Sequence, residues 1–189
     1  MHAAKVRLID TFGATVAGFL TEPSRIARAL AAQRPGPNGA TVIGTYTKTT
    51  PDMAAFANGT AARCVEMNDI YRWPGSYDGH PSDVIAPVLA IAEQVGASGR
   101  ELILATILAY EVYTRISDVF HNKGFDHTIF CTVASAAAAA RLLRLSREQI
   151  AHAISMAVVP NNVVRQLRHD DLSMWVGVAS GHAGRAGVF

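Results

Sequence analysis

Three acid–base side chains stand at breaks in an otherwise helical sequence: Asp69 after Asn68, His80 between Gly79 and Pro81, and His127 after Asp126. An unperturbed imidazole titrates near pH 6.5, so His80 and His127 suit general acid or base work. The restricted backbone around His80 would aim its ring. His127 opens a helix, where the positive dipole end favours the neutral ring and draws an anionic ligand. Asp69 is the carboxylate that would orient such a base or accept a substrate hydroxyl, with Asn68 and Ser82 as polar groups for the same substrate. Each is also ordinary where it stands: an aspartate at a helix end, a histidine in a turn, a histidine at a cap. Arg165 and Arg168, in the run Arg165-Gln166-Leu167-Arg168-His169, carry guanidinium forks that match carboxylates, although a solvated basic turn reads the same way. The chemistry these types share is proton transfer on a small anionic substrate. No metal is expected, because spacings of 11 and 47 residues between Asp69, His80 and His127 fit no compact ligand motif.

Helices must hold these residues. Val6, Ile9, Phe12, Val16 and Phe19 recur at three and four and mark one face of a first helix, and a second follows from about Pro23. It ends in the breakers of residues 34–39, after which residues 40–46 could form a brief strand. Thr50-Pro51 reads as cap and first helical residue of an Ala-rich helix ending near Asn68-Asp69. Residues 70–81 hold too many breakers for regular structure and predict a long loop. Ser82 would cap the next helix, over residues 84–95. Ser98-Gly99-Arg100-Glu101 and Ser146-Arg147-Glu148-Gln149 are capping boxes for two more. Between them, a helix after His127 carries the alanines of residues 136–140, and a last one runs from about Asp171 to the final residue. Met53, Met67 and Met156 read as core filler.

About eight helices with almost no strand signal predict an all-α, globular multi-helix domain over residues 1–189. The chain begins inside a helix and stops on Gly187-Val188-Phe189 with no cap, which points to a part of a larger two-domain unit. Half of the 189 residues are hydrophobic, 32 of them alanine, and no run approaches the roughly 20 apolar residues of a membrane span. A net charge of +2 is too weak to suggest a nucleic-acid partner. Cys64 and Cys131 lie in apolar helical stretches without thiolate-ligand spacing, so no iron–sulfur cofactor is expected. The N-terminus lacks the apolar core of a signal peptide, and with free thiols a cytoplasmic location is expected.

Taken in order, Leu8-Ile9-Asp10-Thr11-Phe12-Gly13, Phe56-Ala57-Asn58-Gly59-Thr60-Ala61-Ala62, Asn68-Asp69, Gly79-His80-Pro81-Ser82 and Arg141-Leu142-Leu143-Arg144-Leu145-Ser146 resemble the MmgE/PrpD family across nearly the whole chain. Arg165-Gln166 followed by Leu172-Ser173-Met174-Trp175 resembles its 2-methylcitrate dehydratase branch, in propionate metabolism. The resemblance implies a helical domain that faces a smaller α/β lid across an active-site cleft, and a homodimer formed through the helical part. It implies a lyase that removes water or carbon dioxide from a small di- or tricarboxylate without a cofactor. Asp69, His80 and His127 would be the catalytic residues, and Asn68, Ser82, Arg165 and Arg168 would bind substrate. Two positions depart from the family pattern: Val176 replaces a lysine, and Arg63 stands where histidine is common. The lid would come from a separate chain, or the domain is a non-catalytic or half-enzyme scaffold.

Overall fold

The computed structural model describes residues 1–75, 78–120, 124–169 and 171–189. Among them are eight α-helices and one two-stranded antiparallel sheet, so the chain is mostly helical as expected. Helix α1 (His2–Gly18) and α2 (Glu22–Ala32) come first, followed by β1 (Pro35–Thr41) and β2 (Lys48–Thr49). Helix α3 (Pro51–Arg63) starts at the predicted proline; Thr50 makes no side-chain cap, so the preset φ of Pro51 is what opens it. Then come a 3₁₀ turn (Pro81–Val84), α4 (Ile85–Gln94), α5 (Gly99–Val119), α6 (Thr128–Leu142) and α7 (Arg147–Val158). A second 3₁₀ turn (Arg165–Arg168) precedes α8 (Trp175–Val188). Both capping boxes form, Ser98 with Glu101 and Ser146 with Gln149.

Five expectations need correction, the first being the end of α3, which stops at Arg63 and not near Asn68-Asp69, with Glu66 just beyond it in the left-handed region at φ 54°. The strand lies over Pro35–Thr41 rather than residues 40–46: Gly36 and Gly39 pass so close to Thr49 that a Cβ on Gly39 would sit 1.8 Å from its carbonyl oxygen. The residues that break the helix are therefore the ones that let the extended chain pair with Thr49, across a bulge. Ser82 caps no helix with its side chain, because the 3₁₀ turn intervenes before α4. The last helix begins at Trp175, not at residue 171. Met53 is core, but Met67 and Met156 are 63% and 73% exposed.

Helix α3 packs most extensively against α8, and α6 against α5 and α8. These crossings are close because the facing residues are small. Residues 136–140 are buried alanines, and Gly187 lies against Ser135 and the backbone of α6. Val84, Val88, Tyr113, Phe130 and Ala134 belong to the largest apolar cluster, which joins α4, α5 and α6 directly beneath the loop bearing His80. On α1 the buried side is Thr11, Ala14, Thr15 and Gly18, which leaves Val6, Ile9, Phe12 and Val16 exposed. Among the described residues no helix is long and apolar enough to cross a membrane.

The α3–α8 crossing sets a limit on residue size. A Cβ at Gly181 would lie 2.5 Å from Thr60 Oγ1 and 2.6 Å from the Phe56 carbonyl oxygen. Gly181→Ala is expected to destabilise the fold by about 1–3 kcal/mol in urea unfolding. Gly13→Ala, in open space on α1, is expected to raise stability by about 0.5–1 kcal/mol.

Candidate active site

Asp69 and His80 stand at the two ends of one loop and His127 at the head of α6, and His80 touches both of the others. The loop after α3 carries Asn68 and Asp69, and its continuation pairs with itself: Tyr71 N–H donates to the Gly79 carbonyl at 2.8 Å, and Gly79 N–H returns to Tyr71 at 3.3 Å. Residues 76 and 77 of the predicted 70–81 loop lie outside the described residues, as do residues 121–123 before α6. Gly79 packs onto α5 and the head of α6 so tightly that a Cβ there would lie 2.3 Å from the Tyr113 hydroxyl and 3.2 Å from His127 Cβ. A side chain at position 79 would separate the two histidines. With glycine there, the His80 and His127 rings stand 5.2 Å apart, edge to face at 63°.

His80 is held from both ends. Its backbone N–H donates to the Tyr113 hydroxyl at 3.0 Å, and its Nδ1 lies 2.8 Å from the Asp69 carbonyl oxygen. A carbonyl only accepts, so Nδ1 carries the proton, and in the neutral ring Nε2 keeps its lone pair. The Asp69 carboxylate is fixed in turn, accepting from Ser82 N–H and from the Tyr110 hydroxyl, both at 3.0 Å. Asn68 Nδ2 donates to Ser82 Oγ at 3.2 Å. Asp69 therefore orients His80 through its main chain, and the substrate-binding pair predicted beside it is occupied internally. Arg7 of α1 approaches Asp69 at 3.9 Å.

His127 is 7% exposed, and burial pushes its pKa down to about 3, with Arg168, His80 and Arg63 adding to the effect and Asp126 opposing it. The ring is neutral at physiological pH, and its Nε2 is buried with no hydrogen-bond partner. Asp126 is buried too. Burial alone would raise its pKa, but the Arg168 guanidinium, His127 and the Thr128 N–H outweigh that and hold it below the usual carboxylate range. Arg168 is bound to Asp126 in a two-pronged pair, Nε to Oδ2 and Nη2 to Oδ1. It is therefore engaged with a protein carboxylate, where a fork for substrate was expected. Arg165 is exposed, and its backbone N–H donates to Gly124 at 2.9 Å.

Sequence reasoning missed Asp83, Tyr110 and Tyr113 in this cluster, and noted Arg63 only as a departure from the family pattern. Asp83 is 4% exposed and accepts from Ser180 at 2.7 Å; burial raises its pKa, with Arg63, His80 and Ser180 pulling the other way. Arg63 is 1% exposed, pairs with Glu66 at 2.5 Å and lies 4.0 Å from Asp83. Burial and nearby carboxylates keep the phenols of Tyr110 and Tyr113 protonated. The tyrosines stand three apart on α5, a spacing that reads as core, and Asp83 reads as a first-turn acid. Orphaned buried atoms gather here: Arg63 Nε, Asn68 Oδ1, Asp83 Oδ1 and His127 Nε2. Cavities of about 670 and 490 Å³ lie beside Leu104 and Arg141 and beside Phe12 and Leu89, and neither is lined by Asp69, His80 or His127. Among the described residues no group of three or more His, Cys, Asp or Glu is placed to hold a metal ion. The arrangement is a packed floor with one open imidazole, one neutral buried imidazole and carboxylates behind them.

Residues 1–189 match the description MmgE/PrpD N-terminal domain. The chain is 35% identical over 177 residues to 2-methylcitrate dehydratase of Cupriavidus necator, covering 86% of this chain and 36% of that protein. It is 32% identical over 185 residues to the mitochondrial 2-methylcitrate dehydratase of Yarrowia lipolytica, covering 89% and 35%. It is 36% identical over 145 residues to 2-methylcitrate dehydratase of Escherichia coli K12, covering 70% and 30%. The chain thus spans about a third of the length of the curated relatives it matches.

The buried neutral ring has a consequence for stability. Unfolded, His127 takes a proton near pH 6.5; folded, it stays neutral down to about pH 3. The unfolded state binds more protons in that interval, so stability falls as pH is lowered below 6.5. Asp126 adds a loss of the same sign at lower pH, as its depressed folded pKa is reached. In urea midpoints measured against pH, His127→Gln is expected to flatten the part of the decline that starts near pH 6.5.

Proposed function

The chain belongs to the MmgE/PrpD family, and from that premise we propose that it forms the histidine-bearing wall of a lyase acting on a small hydroxylated di- or tricarboxylate such as 2-methylcitrate. The observation that carries this reading is the His80–His127 ring pair at 5.2 Å, with the His80 tautomer set by the Asp69 carbonyl. In a dehydration, a base removes the proton on the carbon next to a carboxylate, the C–C double bond forms, and the hydroxyl leaves with a proton as water. His80 is the ring that takes the proton at Nε2 and hands it on to the departing hydroxyl, which leaves as water. His127 remains neutral beside it, so the pair carries no more than one positive charge. Developing charge on the carboxylate needs cations or fixed donors nearby.

One observation favours a second reading, a half-enzyme or scaffold subunit. Arg168 is committed to Asp126, and Arg63 to Glu66 and Asp83. Val176 offers no ammonium in place of the family lysine. In this reading the groups that hold substrate carboxylates belong to a second wall, supplied by another segment or another chain. A homodimer built through the helical part and a cytoplasmic location accompany both readings.

Incubation of the purified chain with 2-methylcitrate, citrate or cis-aconitate, followed by absorbance of the conjugated double bond, separates the two. Turnover by the chain alone, reduced at least 10²-fold by His80→Ala, is the result expected of a self-sufficient lyase. Turnover that starts only when a polypeptide with the second wall is added, and that still depends on His80, is expected of the half-enzyme. Turnover indifferent to both histidines would overturn the site.

A further inference from the structure

We infer that Asp126 and Arg168 are positioning residues that fix the His127 imidazole, with Arg168 acting through Asp126 and not on a substrate. The geometry is specific. Asp126 Oδ1 accepts from Arg168 Nη2 at 3.1 Å and from Thr128 N–H at 3.2 Å, and lies 3.6 Å from His127 Nδ1. Oδ2 takes the other prong of the guanidinium. One carboxylate therefore turns the backbone on either side of His127 and stands beside one edge of its ring. The other edge, Nε2, is buried and has no partner. The carboxylate limits the turn of the ring by its place 3.6 Å from Nδ1, outside hydrogen-bond distance, and by the backbone bend that it holds through Thr128 N–H.

The delivery of Arg168 is built in the main chain. Asp126 N–H donates to the Val163 carbonyl at 2.8 Å, and Arg165 N–H donates to Gly124 at 2.9 Å. Phe125 and Val164 pair as an antiparallel bridge between these contacts. The segment between α7 and α8 is stitched to the three residues before His127, which brings the guanidinium 42 positions along the chain to Asp126. A buried ion pair is poor evidence for stability by itself, since apolar residues of similar volume often serve as well. A charged fork on a carboxylate gives orientation, and here what it orients is a histidine.

The groups facing His127 are Asp126 and Arg168 on one side, and His80, Arg63 and the Tyr113 hydroxyl on the others. Asp126 raises the proton affinity of the ring and Arg168 lowers it. The two partners therefore predict opposite responses to their removal. In ¹⁵N-detected histidine titrations, Arg168→Gln is expected to move the His127 midpoint up, and Asp126→Asn to keep it at or below its original place. Arg168→Lys keeps the charge and loses the fork; it serves if Arg168→Gln does not fold, and is expected to leave the midpoint low while the tautomer population read from the two ring nitrogens changes. A His127 midpoint and tautomer unchanged in all folded variants would overturn the proposal. The kinetic arm rests on the lyase reading: kcat is expected to fall about 10- to 100-fold with KM unchanged in Arg168→Lys, and an unaltered kcat in an active enzyme also overturns it. A shifted titration in a chain that turns over none of the acids would sink the lyase reading and leave the positioning pair standing.

Discussion

The absence of a side chain at position 79 is the constraint on which the site depends. Any Cβ there would run into the Tyr113 hydroxyl and the His127 side chain, so only glycine lets the loop lie flat on α5 and on the head of α6. That contact places the backbone N–H of His80 on Tyr113 and its ring beside His127. The same loop closes on itself through Tyr71, and its two ends hold Asp69 and His80 in hydrogen-bond reach. Asp69, His80, Tyr113 and His127, from three parts of the sequence, thus come together because one residue contributes no side chain.

Charge in that volume is balanced by pairs. Three carboxylates stand behind the histidines: Asp126 answered by Arg168, Asp83 by Ser180 with Arg63 nearby, and Asp69 by Ser82 and Tyr110. Each buried charge costs desolvation, and each is tolerable only with its partner in place. The neutrality of His127 follows from the same accounting. Burial withdraws its proton; the Asp126 carboxylate opposes this, and Arg168, His80 and Arg63 add to it. The wall is rich in groups that steer and tune an imidazole, and its buried cations are already spoken for.

Much of this was legible in the sequence because the signals were local. Thr50-Pro51 and the two capping boxes are short-range chemistry, and their helices start where those residues stand. Asp69, His80 and His127 stood out because each interrupts a helical pattern, and the structure brings their segments together. Tyr110, Tyr113 and Asp83 did not stand out, since their positions suit a core or a first turn and their side-chain hydrogen-bond partners lie 33 to 97 residues away. Arg168 showed its charge but not its partner. The outward face of α1 marks another limit: periodicity finds an apolar stripe, but small residues on the opposite side, Gly18 against Ala61 above all, decided which side packs.

The central claim is that the His80 and His127 rings form one pair in which the buried His127 stays neutral. The most direct measurement is a nuclear Overhauser experiment on the two imidazole rings, repeated across a pH titration of the intact chain. The account requires a ring-to-ring cross peak, a His80 ring protonated at Nδ1, and a His127 ring that stays neutral well below pH 6. Rings with no cross peak, or a His127 that takes up a proton near pH 6.5, would contradict it.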